Sequence, residues 1–291
     1  MKKKTLLFIA TLLCLTSFAQ DAGKDPVKKG KRFYAGIAYQ FMSVDVRLFS
    51  LSLNSVWYGS EQGTNDLSDN EIDTINNYVD RHSRFNTLGI EAGMWFIDRP
   101  EWKLRGNIFL GIAENVTTVY NKASGIEEYS FNSGFSKPCA GVSIDFGYQF
   151  NNHWGLWLQP TVVGTMGRIT DIRDRSNVEP DSLNFIRSKE DNFYSIYLRG
   201  SIMASYTIGP VTIFAGPGYY QVWTRHEYKR TYTQITTGDV IQEKVTSVAI
   251  PKYHLNGCIA VSWRIIEQLT LHANAGIGND LMMNAGLDFN F

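Results

Sequence analysis

The sequence has little cysteine and no excess of charge of either sign. It contains 3 Cys in 291 residues, and 28 Lys+Arg balance 28 Asp+Glu. Removing an N-terminal export signal would take Lys2, Lys3 and Lys4 with it, leaving 28 − 3 = 25 basic against 28 acidic residues, a charge of −3. With 44% hydrophobic and 13% aromatic residues, this composition excludes a disordered chain and a polycation that seeks nucleic acid.

Long hydrophobic runs are missing after the first 20 residues. Ser, Asn, Gly or a charged residue interrupts every apolar stretch before it reaches roughly 20 positions, the length of a transmembrane helix. A helical membrane protein is therefore excluded. The chain also lacks Cys-x-x-Cys, His-Glu-x-x-His and a phosphate-binding glycine loop, so we expect no metal site and no cofactor.

The N-terminus has the pattern of a cleaved secretory signal. Three lysines precede the apolar run Leu6–Leu15, which is too short to span a bilayer, and Ser17-Phe18-Ala19 is a small-x-small cleavage site. We predict a signal peptide over 1–19, an irregular periplasmic lead-in over 20–31 and one folded domain over 32–291.

From Arg32 to the end of the chain, apolar residues recur at every second position. This period is typical of β-strands with one apolar and one polar face. The clearest case is 140–150, where Ala, Val, Ile, Phe and Tyr alternate with Gly, Ser, Asp and Gln. Ten segments of this kind begin near residues 33, 84, 102, 140, 154, 194, 211, 253, 269 and 281.

The connections between these segments alternate in length. Short turns fall at Asp98–Glu101, Asn151–His153, Gly209–Pro210 and Ile265–Gln268. Long polar connections cover 44–83, 121–138, 171–191 and 229–245, and only 278–280 is a short member of this second set. Bacterial membrane barrels have short periplasmic turns and long extracellular loops. The pattern therefore predicts an all-β, transmembrane, antiparallel up-and-down β-barrel of about ten strands.

The number of membrane strands has alternatives, because one further segment alternates in the same way. The segment Val44–Tyr58 also alternates, but an eleventh membrane strand would break the even count of single-chain barrels. We interpret it as an extension of the first strand above the membrane, with a short helix over 69–81, and keep eight or twelve strands as alternatives.

Tryptophan clusters beside the predicted short turns. Such rings sit at the headgroup level of membrane barrels and form an aromatic girdle. Five of the seven tryptophans are assigned to this girdle: Trp95, Trp102, Trp154, Trp157 and Trp263.

The last strand ends in alternating aromatic residues. Asn284, Gly286, Phe289 and Phe291 resemble the C-terminal assembly signal of outer-membrane proteins, in which a free strand edge is offered for pairing before the barrel closes. With the signal peptide, the chain resembles the small outer-membrane β-barrel families of Gram-negative bacteria over about 32–291. The resemblance implies export to the cell outer membrane, contact with its lipid and insertion by the barrel assembly machinery. It selects no single member, because these families include channels, adhesins, proteases, lipid-modifying enzymes and secretion subunits.

If the apolar face points to lipid, the opposite face carries charges into the lumen. Ten strands leave little free space, so long charged side chains are expected to fill it. We predict an ionic network of Glu91, Arg105, Asp145 and Arg199. Cys139 and Cys258 fall on the same face but differ in height by roughly 15 Å, beyond disulfide reach, which predicts free buried thiols.

Candidate catalytic residues at the extracellular rim occur singly, and no motif links them. They are His82, Asp171, Asp174, His226 and Asp239. An omptin-like protease needs paired carboxylates and an Asp-His couple, and a lipid-modifying barrel needs a Ser-His or Ser-His-Asp set. An Asp, Glu, Ser or Lys within hydrogen-bond reach of His82 or His226 in a rim cleft would favour an enzyme.

We therefore expect a non-catalytic barrel with a largely plugged lumen, acting as a scaffold, partner subunit or surface receptor. The alternatives are an outer-membrane protease or lipid-modifying enzyme, and a narrow porin. The extracellular loops are expected to contact another envelope protein or a glycan. Thr74 and Ser182 lie in Asp-Thr/Ser-aliphatic tripeptides that resemble bacterial O-glycosylation sequons.

Overall fold

The computed structural model describes residues 33–57, 60–169, 171–174, 185–234, 240–278 and 280–291. The predicted signal peptide, the lead-in, Ser182 and Asp239 lie outside these residues. The described part contains one helix, α1 (Asp69–Tyr78). Its strands are β1 (Phe33–Trp57), β2 (Ser60–Asp66), β3 (Val79–Asp98), β4 (Trp102–Asn121), β5 (Glu127–Asn132), β6 (Lys137–Gln149), β7 (Trp154–Arg168), β8 (Asp171–Asp174), β9 (Phe185–Ile208), β10 (Val211–Gln234), β11 (Val240–Pro251), β12 (Leu255–Ile266), β13 (Leu269–Ile277) and β14 (Leu281–Asn290).

Ten of these strands close into an antiparallel ring. The order around it is β1, β3, β4, β6, β7, β9, β10, β12, β13 and β14, and β14 pairs back onto β1. The described chain is therefore a transmembrane up-and-down β-barrel with ten strands in its wall, as the alternation predicts. Closure leaves no free edge in this ring, which is the usual solution for a sheet in a membrane.

The outward face of the ring is apolar. Its side chains are exposed in the isolated chain, as in the case of Ile37 (59%) and Ile108 (57%). Their neighbours in sequence, such as Ala38 and Phe109, are buried inside. The alternation of a strand thus separates a lipid-facing set from a lumen-facing set, with the faces assigned as the sequence predicts.

Four strands missed by the sequence analysis lie beyond the membrane part: β2, β5, β8 and β11. The most consequential is β11, which pairs with β1 from Val46↔Pro251 upward and with β10 from Thr224↔Ala249 upward. In the membrane, the wall between β10 and β1 holds three strands; above it, β11 alone fills the same interval. At about 4.8 Å per strand spacing, this interval shrinks from roughly 19 Å to roughly 10 Å.

The extension of β1 above the membrane is stabilised by α1. Ser68 and Glu71 form a capping box at the start of this helix, and Ile72 is its buried residue. The Asn76 side chain hydrogen bonds with both the N–H and the carbonyl of Leu48, each at 2.9 Å, so it mimics a strand partner. The predicted extension and helix are both present, and the helix ends three residues earlier than predicted.

Candidate functional site

The lower lumen contains a network of buried charges. Arg105 donates from Nε to Asp145 Oδ2 at 2.7 Å, and its Nη2 lies 2.5 Å from the same oxygen. Asp288 adds a second carboxylate 3.9 Å from Nη1. The Tyr34 hydroxyl lies 3.1 Å from Glu91 Oε1, and its ring lies under the Arg105 guanidinium. Because β4 and β6 pair at Arg105↔Asp145, the strand register brings the two charges together.

Arg199, the fourth residue assigned to this network, lies elsewhere. Its Nη2 donates to Asn274 Oδ1 at 2.7 Å and to Cys258 Sγ at 3.3 Å. The sequence analysis did not include Tyr34, His272 and Asp288 in the network. His272 lies 3.5 Å from Asp288. Residues with even numbers on β13 face the lumen, so the alternation along this strand could have identified His272 as a lumen residue.

Above this network the lumen is closed by apolar side chains. A cavity of about 1020 Å³ extends from the short-turn end of the barrel up to Met42, Phe85 and Met282. These three belong to a buried cluster of side chains from β1, β3, β10, β11 and β14 that pack together inside the barrel. Its members are Met42, Val44, Val46, Phe85, Tyr220, Val222, Ala249 and Met282, with Tyr197 packed against them. We call this set the apolar plug.

A second layer lies above the apolar plug. His226 is buried and its ring packs edge-on against Phe131, with centroids 4.1 Å apart. Ser83 and Thr117 form a hydrogen bond of 2.9 Å at the same end. His226 is therefore part of the upper closure and does not lie in an open rim cleft. The side chains of Asp171 and Asp174 lie outside the described positions.

The other rim histidine, His82, has two polar partners on the outer wall. Its Nε2 lies 2.7 Å from Ser43 Oγ, and its Nδ1 lies 2.9 Å from Asp45 Oδ1. Ser43 and Asp45 are two residues apart on β1, and Asp45 pairs directly with His82 on β3. This is the connectivity of a Ser-His-Asp set, and the pattern of single rim candidates in the sequence did not reveal it.

The tryptophans assigned to a girdle divide into two groups. Trp102, Trp154 and Trp263 are exposed on the outer face, and Trp102 packs on Tyr148 while Trp154 packs on Tyr206. The assignment of the other two is wrong, because both face the lumen. Trp157 is 8% exposed and donates to Ser205 Oγ at 3.1 Å, and Trp95 stacks with Arg105.

The structure also places the two cysteines, one of the two predicted glycosylation residues and the predicted assembly signal. Cys139 and Cys258 are buried free thiols, as predicted. Thr74 lies on α1, where its hydroxyl donates to the Asn70 carbonyl at 2.8 Å, and its glycosylation stays a prediction.

In the predicted assembly signal, Phe289 and Phe291 are exposed on the outer face, and a Cβ added at Gly286 would collide with the His272 ring.

The described residues contain neither a membrane-spanning helix nor a cluster of metal-binding side chains. No helix among them is long and apolar enough to cross a membrane. No group of three or more His, Cys, Asp or Glu among them is placed to hold a metal ion.

Comparison with solved structures finds outer-membrane barrels. The chain is similar to the translocator domain of the autotransporter NalP from Neisseria meningitidis, with 7% identity, 99% of this chain and 98% of that chain covered, and a TM-score of 0.42. It is similar to the outer membrane protein OprG from Pseudomonas aeruginosa, with 13% identity, coverage of 90% and 98%, and a TM-score of 0.36. It is also similar to the outer membrane protease OmpT from Escherichia coli, with 8% identity, coverage of 88% and 97%, and a TM-score of 0.39. No family model and no curated protein matches the sequence.

Proposed function

We propose that this chain is an integral outer-membrane β-barrel of a Gram-negative bacterium that does not conduct and that acts through its extracellular surface, as a receptor or scaffold. The observation that carries the proposal is the apolar plug. Side chains from β1, β3, β10, β11 and β14 pack together inside the barrel and are buried. An open pore needs a continuous wet path, and a packed layer of mostly apolar side chains opposes one because it offers water few hydrogen-bond partners.

The placement in the membrane is supported by the outer wall. Exposed apolar side chains cover the ring, and exposed tryptophans border it near the short turns. The ends of the barrel chain meet at this same border, where the Phe291 N–H donates to the Phe33 carbonyl at 2.9 Å. Bacterial barrels place their short turns in the periplasm. The lower cavity then opens toward the periplasm and the narrowed upper barrel points outward.

The receptor or scaffold role is supported by the length of the strands. A membrane crossing takes about 9 to 11 tilted residues, whereas β9 and β10 have 24 residues each and β1 has 25. More than half of each strand therefore rises above the membrane. This gives the chain an extended extracellular platform with α1 on its side.

Conductance across a planar bilayer tests the proposal. The purified native protein is expected to give no steady open channel. Phe85→Ala combined with Tyr220→Ala should raise conductance several-fold, because both side chains belong to the apolar plug. Phe96→Ala is the matched control, since Phe96 is an exposed phenylalanine on the same strand β3. A large steady conductance of the native protein contradicts the closed lumen and favours the porin alternative.

The protease alternative receives little support. It depends on paired carboxylates and an Asp-His couple in a cleft at the rim. His226 is buried against Phe131, and the Asp-His couple of Asp45 and His82 lies on the outer wall. The lipid-modifying alternative is favoured by one observation, the contacts of His82 with Ser43 and Asp45.

A further inference from the structure

We propose that Ser43, His82 and Asp45 form a serine-hydrolase site on the outer wall of the barrel, and that its substrate is an acyl ester of a lipid in the outer leaflet. The inference goes beyond the closed barrel and does not depend on it, because the three residues lie on the outer face and not in the lumen. Their side chains are partly exposed, with 39% for His82 and 44% for Asp45.

The hydrogen-bond pattern assigns a role to each group. A carboxylate can only accept hydrogen bonds, so the contact with Asp45 places the proton of the neutral imidazole on Nδ1. The other nitrogen, Nε2, is then the acceptor for the Ser43 hydroxyl at 2.7 Å. Asp45 orients the ring, His82 is the general base and Ser43 is the nucleophile. This division of roles recurs on unrelated folds, where geometry and not chain order identifies it.

The position of Asp45 is fixed by the surrounding backbone. Its N–H donates to Asp280 Oδ1 at 2.8 Å, and its carbonyl accepts from the Lys252 N–H at 2.8 Å. At this height the strand that pairs with this edge of β1 changes. β1 pairs with β14 up to Ser43↔Leu281 and with β11 from Val46↔Pro251 onward. The site therefore occupies the junction where the membrane wall ends and the narrower upper wall begins.

The height of the site points to a lipid substrate. From Phe33 to Ser43 β1 has 43 − 33 + 1 = 11 residues, about the number that crosses the apolar band. Leu281, the β14 partner of Ser43, is exposed on the outer face, and so is Met283 below it. An ester at the level of the outer headgroups can thus reach Ser43 while its acyl chain stays against these apolar side chains.

Arg84 supplies positive charge beside the nucleophile. It pairs directly with Ser43 across β1 and β3, and its side chain is exposed on the same face. In the part of the chain that the structure describes, no carboxylate forms an ion pair with it. A guanidinium in this place can stabilise the oxyanion that develops on the ester carbonyl.

The reaction balances without any cofactor. Ser43 Oγ attacks the ester carbonyl carbon while its proton passes to His82 Nε2. The C–O bond to the alcohol then breaks, the alcohol leaves with that proton, and the acyl group remains on Ser43. Water attacks this acyl ester, gives its proton to His82, and releases the fatty acid as Ser43 recovers its proton.

A serine-reactive fluorophosphonate probe tests the site on the full chain, folded in lipid vesicles. We expect labelling of the native protein at Ser43, loss of labelling in Ser43→Ala, and strong loss in His82→Gln. Thr118→Ala is the matched control, because Thr118 pairs with His82 from the other side through β4 and takes no part in the hydrogen bonds of His82 with Ser43 and Asp45. Gel mobility before and after boiling verifies that each variant is folded. Absence of labelling in the folded native protein, or equal labelling in Ser43→Ala, overturns the proposal.

Hydrolysis rates identify the substrate. Long-chain acyl esters embedded in the vesicles are expected to be cleaved, and Asp45→Asn should lower this rate by roughly 10⁴-fold, the loss typical of neutralising the carboxylate of such a triad. Arg84→Gln should lower kcat more than it raises KM. Cleavage of soluble short-chain esters without cleavage of the embedded ones overturns the assignment to lipid.

Discussion

At the scale of single residues, the network around Arg105 is held together by its full set of partners. A buried ion pair adds little to stability compared with an apolar pair of the same shape, because both ions lose their hydration. Removing one partner is different, since the other charge then stays buried without compensation. Asp145 is the carboxylate closest to Arg105, so it is the position where this asymmetry should be largest.

We therefore expect Asp145→Asn to lower the free energy of unfolding by about 3 kcal/mol. Urea unfolding of the barrel in lipid vesicles, followed by tryptophan fluorescence, measures this change. Asp98→Asn is the matched control, because its carboxylate is exposed and lies 3.7 Å from Lys103, and exposed pairs contribute about 1 kcal/mol or less. Equal losses in the two variants would contradict the assigned roles.

The residues also show where sequence reasoning succeeds and where it stops. Strand parity places Glu91, Arg105 and Asp145 on the lumen face, and their neighbouring strands bring them together. The same parity places Trp95 and Trp157 inside, and the girdle assignment failed because it used distance from a turn alone. Ser43, His82 and Asp45 could not be grouped from the sequence, because their contact depends on the register of β1 against β3 across an intervening helix.

At the scale of elements, β11 and the tip of the β13–β14 hairpin form the junction above the membrane. The alternation of β11 falls within a polar segment, so the sequence analysis assigned that segment to a loop. At the hairpin tip Asp280 is 4% exposed, and its Oδ2 has no hydrogen-bond partner in the described structure. Burial raises the pKa of Asp280 from 3.8 to about 6, against the opposing effect of the Asp45 N–H.

This pKa predicts how the junction responds to pH. Between pH 4 and 6 the folded state holds a proton on Asp280 that the unfolded chain has already lost, so the contribution of this group to stability falls as the pH rises. Asp280→Asn removes the ionisation but keeps an oxygen that can accept from Asp45. We expect the stability of Asp280→Asn relative to the native protein to increase from pH 4.5 to pH 7.5.

Thermal unfolding at several pH values, with both proteins in the same lipid, measures this difference. Titrating groups that do not interact with Asp280 are common to the two proteins and cancel in the comparison. A difference that stays constant over this pH range would show that Asp280 ionises normally.

At the scale of the whole molecule, the barrel is closed by the pairing of its first strand, β1, with its last strand, β14. The apolar outer face and the apolar plug both depend on this seam. Because side chains alternate along each strand, a slip of one residue at this seam would turn the lumen network toward lipid. In this register Tyr39 pairs with Ala285, and both residues lie on the outer face. Antiparallel partners have Cα atoms about 4.5 to 5.5 Å apart, within the range that a disulfide spans.

Tyr39→Cys with Ala285→Cys should therefore cross-link on oxidation, in a chain where Cys139 and Cys258 are replaced by Ala. The bond would join residues 39 and 285 and turn almost the whole domain into one covalent circle, so the boiled, oxidised protein should migrate differently from the reduced one on a denaturing gel. The control pairs Tyr39→Cys with Met283→Cys, which lies on the same face but two residues away. At about 7 to 8 Å, this diagonal pair is at or beyond disulfide reach and should cross-link several-fold less. Equal cross-linking of the two pairs would mean that the seam slips, and a slipping seam could not hold Arg105, Asp288 and Glu91 together in the lumen.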